Sequence, residues 1–268
     1  MADRLATMFA RTRAEGRPAI IPFVPGGWPE ADATVAIVRA AVEGGADALE
    51  IGFPFSDPLA DGATNQLAYQ QALANGVNAD TILAAVRAIR AEGIEVPILL
   101  MGYSNPLYSY GVVKFASDAA TAGVDGLIIV DLPPEEATEL EGPAQAAGLH
   151  LIYLLAPAST AERITAVAQH ASGFIYCVSV TGVTGARTSM SSELPEFLAR
   201  VRAQTDVPLA VGFGISAREH VEAVGQVADA AIIGSAFVQV VGGAPAASRP
   251  AAVSAFVREM AGASPARA

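Results

Sequence analysis

The chain has 268 residues, 52% of them hydrophobic and only 6% aromatic, which is enough aliphatic side chain for one large core or two small ones. A formal net charge of −11 with scattered basic residues leaves no basic face for a phosphate backbone, so nucleic acid is not expected as a partner. Cys177 is the only cysteine, which excludes an intrachain disulfide and a cysteine-built zinc site; with apolar runs too short to cross a bilayer and no secretion signal at the start, a cytoplasmic chain without a membrane partner is expected.

In chain order, the pattern opens with a helix over Arg4 to Arg13 and then alternates short apolar runs with longer segments of helical period. The predicted strands are Ile20 to Val24, Ala48 to Gly52, Ile98 to Tyr103, Gly126 to Asp131, Leu151 to Leu155, Phe174 to Val178, Leu209 to Phe213 and Asp229 to Ile233. Between and after them the predicted helices are Asp32 to Glu43, Ala79 to Ala91, Val112 to Ala122, Glu135 to Ala147, Thr160 to His170, Pro195 to Ala203, Ala217 to Val227 and Ala251 to Met260. Nearly continuous apolar strands separated by helices indicate a parallel sheet covered on its outside. About eight such units in roughly 250 residues fit an α/β (β/α)8 TIM barrel better than an open doubly wound sheet. No linker divides the chain, so residues 1–268 are expected to form one barrel domain with an extra N-terminal helix across the bottom and a frayed tail from Gly262.

Two acids stand out on this frame. In Asp47-Ala-Leu-Glu-Ile-Gly52, alternation puts Leu49 and Ile51 on one face and Ala48, Glu50 and Gly52 on the other, so Glu50 points into the barrel near its C-terminal mouth. A buried carboxylate is costly unless it is paired or useful, which makes Glu50 a candidate acid-base group; the competing reading is a core acid tied to Tyr103 or to a backbone amide. Asp61 ends a proline-bounded loop about a dozen residues on and can reach the same cavity, although Asp-Gly is also ordinary turn chemistry. Asp57, before Pro58, reads equally well as a cap.

Three glycine-bearing stretches follow the last three strands: Thr181 to Gly185, Gly212 to Ser216 and Gly234 to Ala236. Glycine admits an anion close to backbone N–H groups, and helices starting there add their positive ends, so a phosphate pocket is expected, although Ser216 and Glu219 also suit a capping box that needs no ligand. Parity places Phe23, Met101, Ile128, Tyr176, Phe213 and Ile232 in the lumen near the mouth, where they either fill the core or take a flat ring. Lys114, the only lysine, falls on an outer helix, and His150, His170 and His220 are scattered, so a Schiff-base lysine and a histidine-bound metal are both disfavoured. If a carbon–carbon bond is cleaved here, the substrate itself must accept the electrons while carboxylates move protons.

The segments Pro22-Phe-Val24, Glu50-Ile-Gly-Phe-Pro-Phe-Ser-Asp-Pro-Leu-Ala-Asp-Gly62, Tyr103-Ser-Asn-Pro106, Asp131-Leu-Pro-Pro-Glu-Glu136, Ser179-Val-Thr-Gly-Val-Thr-Gly-Ala-Arg187, Gly212-Phe-Gly-Ile-Ser216 and Gly234-Ser-Ala236 together resemble the tryptophan synthase alpha-chain family over about Leu5 to Phe256. The Ser-Asp-Pro-x-Ala-Asp-Gly loop is highly specific; the glycine stretches are shared by many phosphate-binding barrels. The resemblance implies cleavage of indole-3-glycerol phosphate to indole and glyceraldehyde 3-phosphate, in an α2β2 complex with a tryptophan synthase beta chain. It implies no cofactor and no metal in this chain, with pyridoxal phosphate only in the partner. By the same resemblance Glu50 protonates indole C3 and removes the glycerol hydroxyl proton, and Asp61 accepts the indole N–H. Phe23, Met101, Ile128, Tyr176, Phe213 and Ile232 would surround the indole, Gly185, Gly214, Gly234 and Ser235 would hold phosphate, and Thr184 would help close the site over Asp61. Asp57 and Pro58 would face the beta chain.

The chain departs from the family pattern in reading Pro25-Gly-Gly-Trp-Pro29 after the first strand and Gly62-Ala-Thr-Asn-Gln66 after the acid loop, and in carrying Val130 before Asp131. Trp28 and Asn65 motivate an alternative: a divergent paralogue acting as a ligand-binding or regulatory partner subunit with weak or no lyase activity. A different phosphosugar isomerase or synthase barrel would lack the acid loop.

Overall fold

The β-branched and aliphatic runs become short parallel strands buried among helices: β1 (Ala19–Pro25), β2 (Leu49–Gly52), β3 (Ile98–Gly102), β4 (Gly126–Ile129), β5 (His150–Ile152), β6 (Leu154–Leu155), β7 (Ile175–Val178), β8 (Leu209–Gly212) and β9 (Ala230–Ile233). The structure is a computed structural model and describes residues 3–178, 193–212 and 214–262. All strand pairs are parallel, in the order β5-β4-β3-β2-β1-β9-β8-β7-β6. The two ends of that order are one stretch of chain: β5 pairs with β4, β6 pairs with β7, and the carbonyl of Tyr153 between them accepts the Tyr176 N–H at 2.9 Å. The expected strand Leu151 to Leu155 is thus interrupted at Tyr153, and the ring closes through it as a (β/α)8 barrel. Tyr153 turns its ring outward, where its hydroxyl donates to Glu141 at 2.7 Å.

The helices are α1 (Arg4–Ala14), α2 (Ala33–Gly44), α3 (Ala63–Ala74), α4 (Ala79–Ala91), α5 (Ser104–Tyr110), α6 (Val112–Ala122), α7 (Thr138–Ala146), α8 (Ala161–His170), α9 (Leu194–Arg202), α10 (Arg218–Gly225), α11 (Ser235–Gly243) and α12 (Arg249–Ala261). Local chemistry explains several starts: Asp3 caps α1 by accepting from Ala6, Asn78 and Thr81 form a reciprocal capping box on α4, and Thr160 caps α8. Helix α1 buries Leu5, Met8 and Phe9, with Phe9 edge-on to Phe174 just before β7, so it plugs the lower end as expected. Helix α12 lies on α2, where a Cβ at Gly44 would stand 2.7 Å from the Ser254 carbonyl; only glycine permits that approach. The expected helix from Glu135 divides into a 3-10 turn, Pro134–Glu136, and α7. The capping box between Ser216 and Glu219 does not form: α10 begins at Arg218 after Ala217, and the Ser216 N–H donates instead to His220 Nδ1.

At the lower rim, three aspartates repeat one arrangement. Asp47, Asp125 and Asp229 each send a backbone N–H to the carbonyl of Ile20, Ile98 or Leu209 and accept that same residue's N–H on the carboxylate, at 2.9, 2.8 and 2.9 Å. Arginines complete each clamp: Arg11 and Arg17 on Asp47, Arg4 and Arg90 on Asp125, Arg13 and Arg202 on Asp229. Burial pushes the Asp229 carboxyl up, but the Leu209 N–H and the Arg202 guanidinium outweigh it and hold it below the ordinary range.

Candidate active site

The mouth is lined by the strand residues that share a face. Register aligns Phe23 with Glu50 and Leu99, Gly52 with Met101, Met101 with Ile128, Tyr176 with Ala210, and Ile21 with Ile232. Phe23, Glu50, Met101, Ile128, Tyr176 and Ile232 therefore converge on one lumen, and all are buried. Glycines open space among them. A Cβ at Gly52 would meet the Tyr69 hydroxyl at 2.6 Å, and one at Gly212 would meet the Tyr176 hydroxyl at 2.3 Å, so each ring tip occupies room left by a missing side chain.

Glu50 is 0% exposed, and neither of its carboxylate oxygens has a hydrogen-bond partner among the described residues. Burial, assisted by the nearby charge of Asp61, pushes its carboxyl from 4.5 to about 8, so it holds a proton at neutral pH. The expected competitor, a tie from Glu50 to Tyr103, is not what forms. The Tyr103 hydroxyl donates to Asp61 Oδ2 at 2.7 Å and accepts the Ala60 N–H at 3.0 Å.

Asp61 sits in the loop between β2 and α3 and is 4% exposed. Its other oxygen, Oδ1, accepts from Asn65 Nδ2 at 3.1 Å, while Gln66 Nε2 donates to its carbonyl at 2.9 Å and ties the loop to the first turn of α3. Burial raises the Asp61 carboxyl above its usual value, and the Tyr103 and Asn65 donors oppose that rise. The Tyr69 and Tyr176 hydroxyls are pushed well above the ordinary phenol range by burial and by the two acids, so both remain neutral. Tyr69, with no hydrogen-bond partner for its hydroxyl among the described residues and its ring edge-on to Phe23, was not anticipated. Its signal was the spacing of Asn65 and Tyr69, one helical turn apart directly after the acid loop; α3 itself went unrecognised because only Ala68, Tyr69 and Ala72 of its twelve residues are buried.

Across the mouth, Gly214 adopts φ +79°, and a Cβ at Gly214 or Gly234 would find nothing within 4 Å. Helix α11 starts at Ser235, whose side chain is exposed, and its first bonded amides, Phe237 and Val238, both return to the Gly234 carbonyl. That leaves the Ser235 and Ala236 N–H groups at the start of α11 without a backbone partner among the described residues, a disposition suited to an anion. Thr184, Gly185 and Phe213 lie outside the described residues. On the outer side of the acid loop Asp57 is exposed and Pro58 is buried, while Leu59 beside them is 87% exposed. Trp28 is 8% exposed; its indole N–H donates to Gln71 of α3 at 2.9 Å and its ring fills the space above Gly242 of α11. No group of three or more His, Cys, Asp or Glu among the described residues is arranged to hold a metal. No described helix is long and apolar enough to cross a membrane.

The family described as "Tryptophan synthase alpha chain" matches residues 9–264. The tryptophan synthase alpha chain of Roseiflexus castenholzii is 49% identical over 260 residues, covering 97% of this chain and 100% of that protein. The tryptophan synthase of Saccharomyces cerevisiae is 47% identical over 250 residues, covering 93% of this chain but 35% of that longer protein. Among solved structures, Mycobacterium tuberculosis tryptophan synthase superposes with a TM-score of 0.90 at 40% identity, covering 98% of both chains. The alpha subunit from Legionella pneumophila does so with a TM-score of 0.89 at 37% identity, covering 97% of both.

Proposed function

The chain belongs to the tryptophan synthase alpha-chain family, and from that premise we propose that it is the carbon–carbon lyase that splits indole-3-glycerol phosphate into indole and glyceraldehyde 3-phosphate, a step in tryptophan biosynthesis. The observation that carries the reading is Glu50: a carboxyl with no hydrogen-bond partner among the described residues, neutral at physiological pH, in the same lumen as a second acid whose charge is supported by two donors. Glu50 gives its proton to C3 of the indole, turning the ring into an indoleninium. Asp61 accepts the ring N–H and stabilises the positive charge there. The Glu50 carboxylate then takes the proton of the hydroxyl beside the ring; the carbon–carbon electron pair returns to the heterocycle as the aldehyde forms. Protons balance, and no electron leaves the pair of products.

Phe23, Met101, Ile128, Tyr176, Phe213 and Ile232 enclose the indole in this reading. Gly185, Gly214, Gly234 and Ser235 bind the phosphate, and Thr184 closes over Asp61. The whole of 1–268 acts as one barrel domain in the cytoplasm. Its partner is a tryptophan synthase beta chain in an α2β2 assembly, met through Asp57, Pro58 and their surroundings; the exposure of Leu59 and Leu67 beside the acid loop supports an apolar contact there. The pyridoxal phosphate belongs to that beta chain, and this chain's own chemistry needs only its carboxylates and the substrate ring. The departures at Trp28 and Asn65 do not favour a silent paralogue, since Trp28 is packed and bonded and Asn65 supports Asp61. Indole release from indole-3-glycerol phosphate, measured with and without a beta chain, tests the proposal. Turnover that rises with the beta chain is expected; folded protein that releases no indole in either setting overturns it.

A further inference from the structure

Asn65 stands where this chain departs from its family's pattern, and the structure gives it a task. Helix α3 begins at Ala63, with the Asn65 and Gln66 amides both bonded to the Gly62 carbonyl at 3.0 Å, so Asn65 falls in the first turn with its side chain directed back to the acid loop. Its Nδ2 reaches Asp61 Oδ1 at 3.1 Å. Its own Oδ1 is buried and has no partner. An amide can turn either end to a neighbour, and turning the oxygen toward an ionised Asp61 would set two acceptors against each other, so the donor end is the one that suits a charged Asp61.

We propose that Asn65 is a positioning residue for Asp61: with Tyr103 donating to Oδ2 from the start of α5 and Asn65 donating to Oδ1 from α3, the carboxylate plane is clamped between two elements and its remaining lone pairs are turned to the lumen. The inference rests on Asp61 being the acceptor of the substrate's N–H. Among the described residues the titratable groups facing Asp61 are Glu50 from β2, Tyr69 from α3, Tyr103 just before α5 and Tyr176 from β7, and none of them is a cation. Within the described residues it is hydrogen bonds that oppose the effect of burial on Asp61, and Asn65 supplies one of the two from side chains.

The test uses the full chain, alone and with a beta chain, carrying Asn65→Ala or the isosteric Asn65→Asp, which keeps the shape and loses the donor. The Asp61 carboxyl carbon is titrated by NMR, and kcat/KM is followed against pH. Loss of the donor is expected to move the Asp61 midpoint upward by about half a unit or more. It should also lower kcat/KM by about threefold at the acid end of the profile, where Asp61 is protonated, and by less than that near neutral pH, with Asn65→Asp the more severe. An Asp61 midpoint within ~0.2 unit of the parent in Asn65→Ala, with a superimposable pH profile, overturns the proposal, because Asn65→Asp also adds a like charge that raises the midpoint by itself. If Asp61→Asn itself keeps its turnover, the role given to the acid fails. That result is separate, because the NMR titration reads the effect of position 65 on Asp61 without any turnover.

Discussion

The two ends of this barrel use the same side chain in opposite ways. At the floor, Asp47, Asp125 and Asp229 are buried or partly buried, and each meets arginines and a strand amide, so every charge is answered. At the mouth, Glu50 is fully buried and its carboxyl has no hydrogen-bond partner among the described residues, where Asp61 is held by the neutral donors Tyr103 and Asn65. Burial of a carboxylate is therefore not the mark of a functional site. Burial without a cation is, because that is what leaves a proton free to move.

The largest expected effect sharpens this contrast at the mouth. Glu50→Gln should lower kcat for indole release ~10³-fold and Asp61→Asn at least ~10²-fold, with the fold intact by circular dichroism. A fall of less than ~tenfold at either position would contradict its assigned role. At the floor the expectation reverses. Asp47→Ala strands Arg17 and the Ile20 amide and should cost about 3 kcal/mol of stability in denaturant melts, while kcat per folded molecule stays within ~twofold. A large catalytic loss with unchanged stability would break the comparison.

The third expectation is a pH dependence with a defined sign. The Glu50 carboxyl is raised from 4.5 to about 8 by folding, so the stability it contributes is fully present below 4.5 and is lost as pH rises through 8. Between pH 5.5 and 8.5 the parent should lose about 3 kcal/mol relative to Glu50→Gln, which carries no such proton. Paired unfolding curves across that range check it, and parallel pH dependences would show that Glu50 is not buried uncharged. The smallest effect belongs to Tyr69→Phe. Because its hydroxyl is buried without a hydrogen-bond partner among the described residues, removal should leave stability within about 1 kcal/mol or raise it. A loss of several kcal/mol in thermal or denaturant melts would reveal a partner for that hydroxyl.

Much of the mouth was legible from local pattern. The alternation around Glu50 aimed it inward, and the same parity placed Phe23, Met101, Ile128, Tyr176 and Ile232 where register brings them together. The floor was legible too, in hindsight: Gly45-Ala-Asp47, Gly123-Val-Asp125 and Val227-Ala-Asp229 each precede an apolar strand at the same offset. What escaped were elements with weak or composite signals. Helices α3, α5 and α11 were not expected, α3 because its outward faces are polar and its buried stripe is narrow. The break at Tyr153 was hidden inside a continuous apolar run.

By itself, then, the chain's linear order determined the barrel, the inward aim of Glu50 and the acid loop, because strand and helix periods are set within a few residues and the loop motif is contiguous. Only tertiary structure decided which acids found cations. Tyr103 reaches Asp61 across 42 positions of sequence, and Arg202 reaches Asp229 across 27. Partners that distant are chosen by how the ring closes, and among the described residues it is their presence at the floor and absence around Glu50 that separates a charged clamp from a buried, protonated acid.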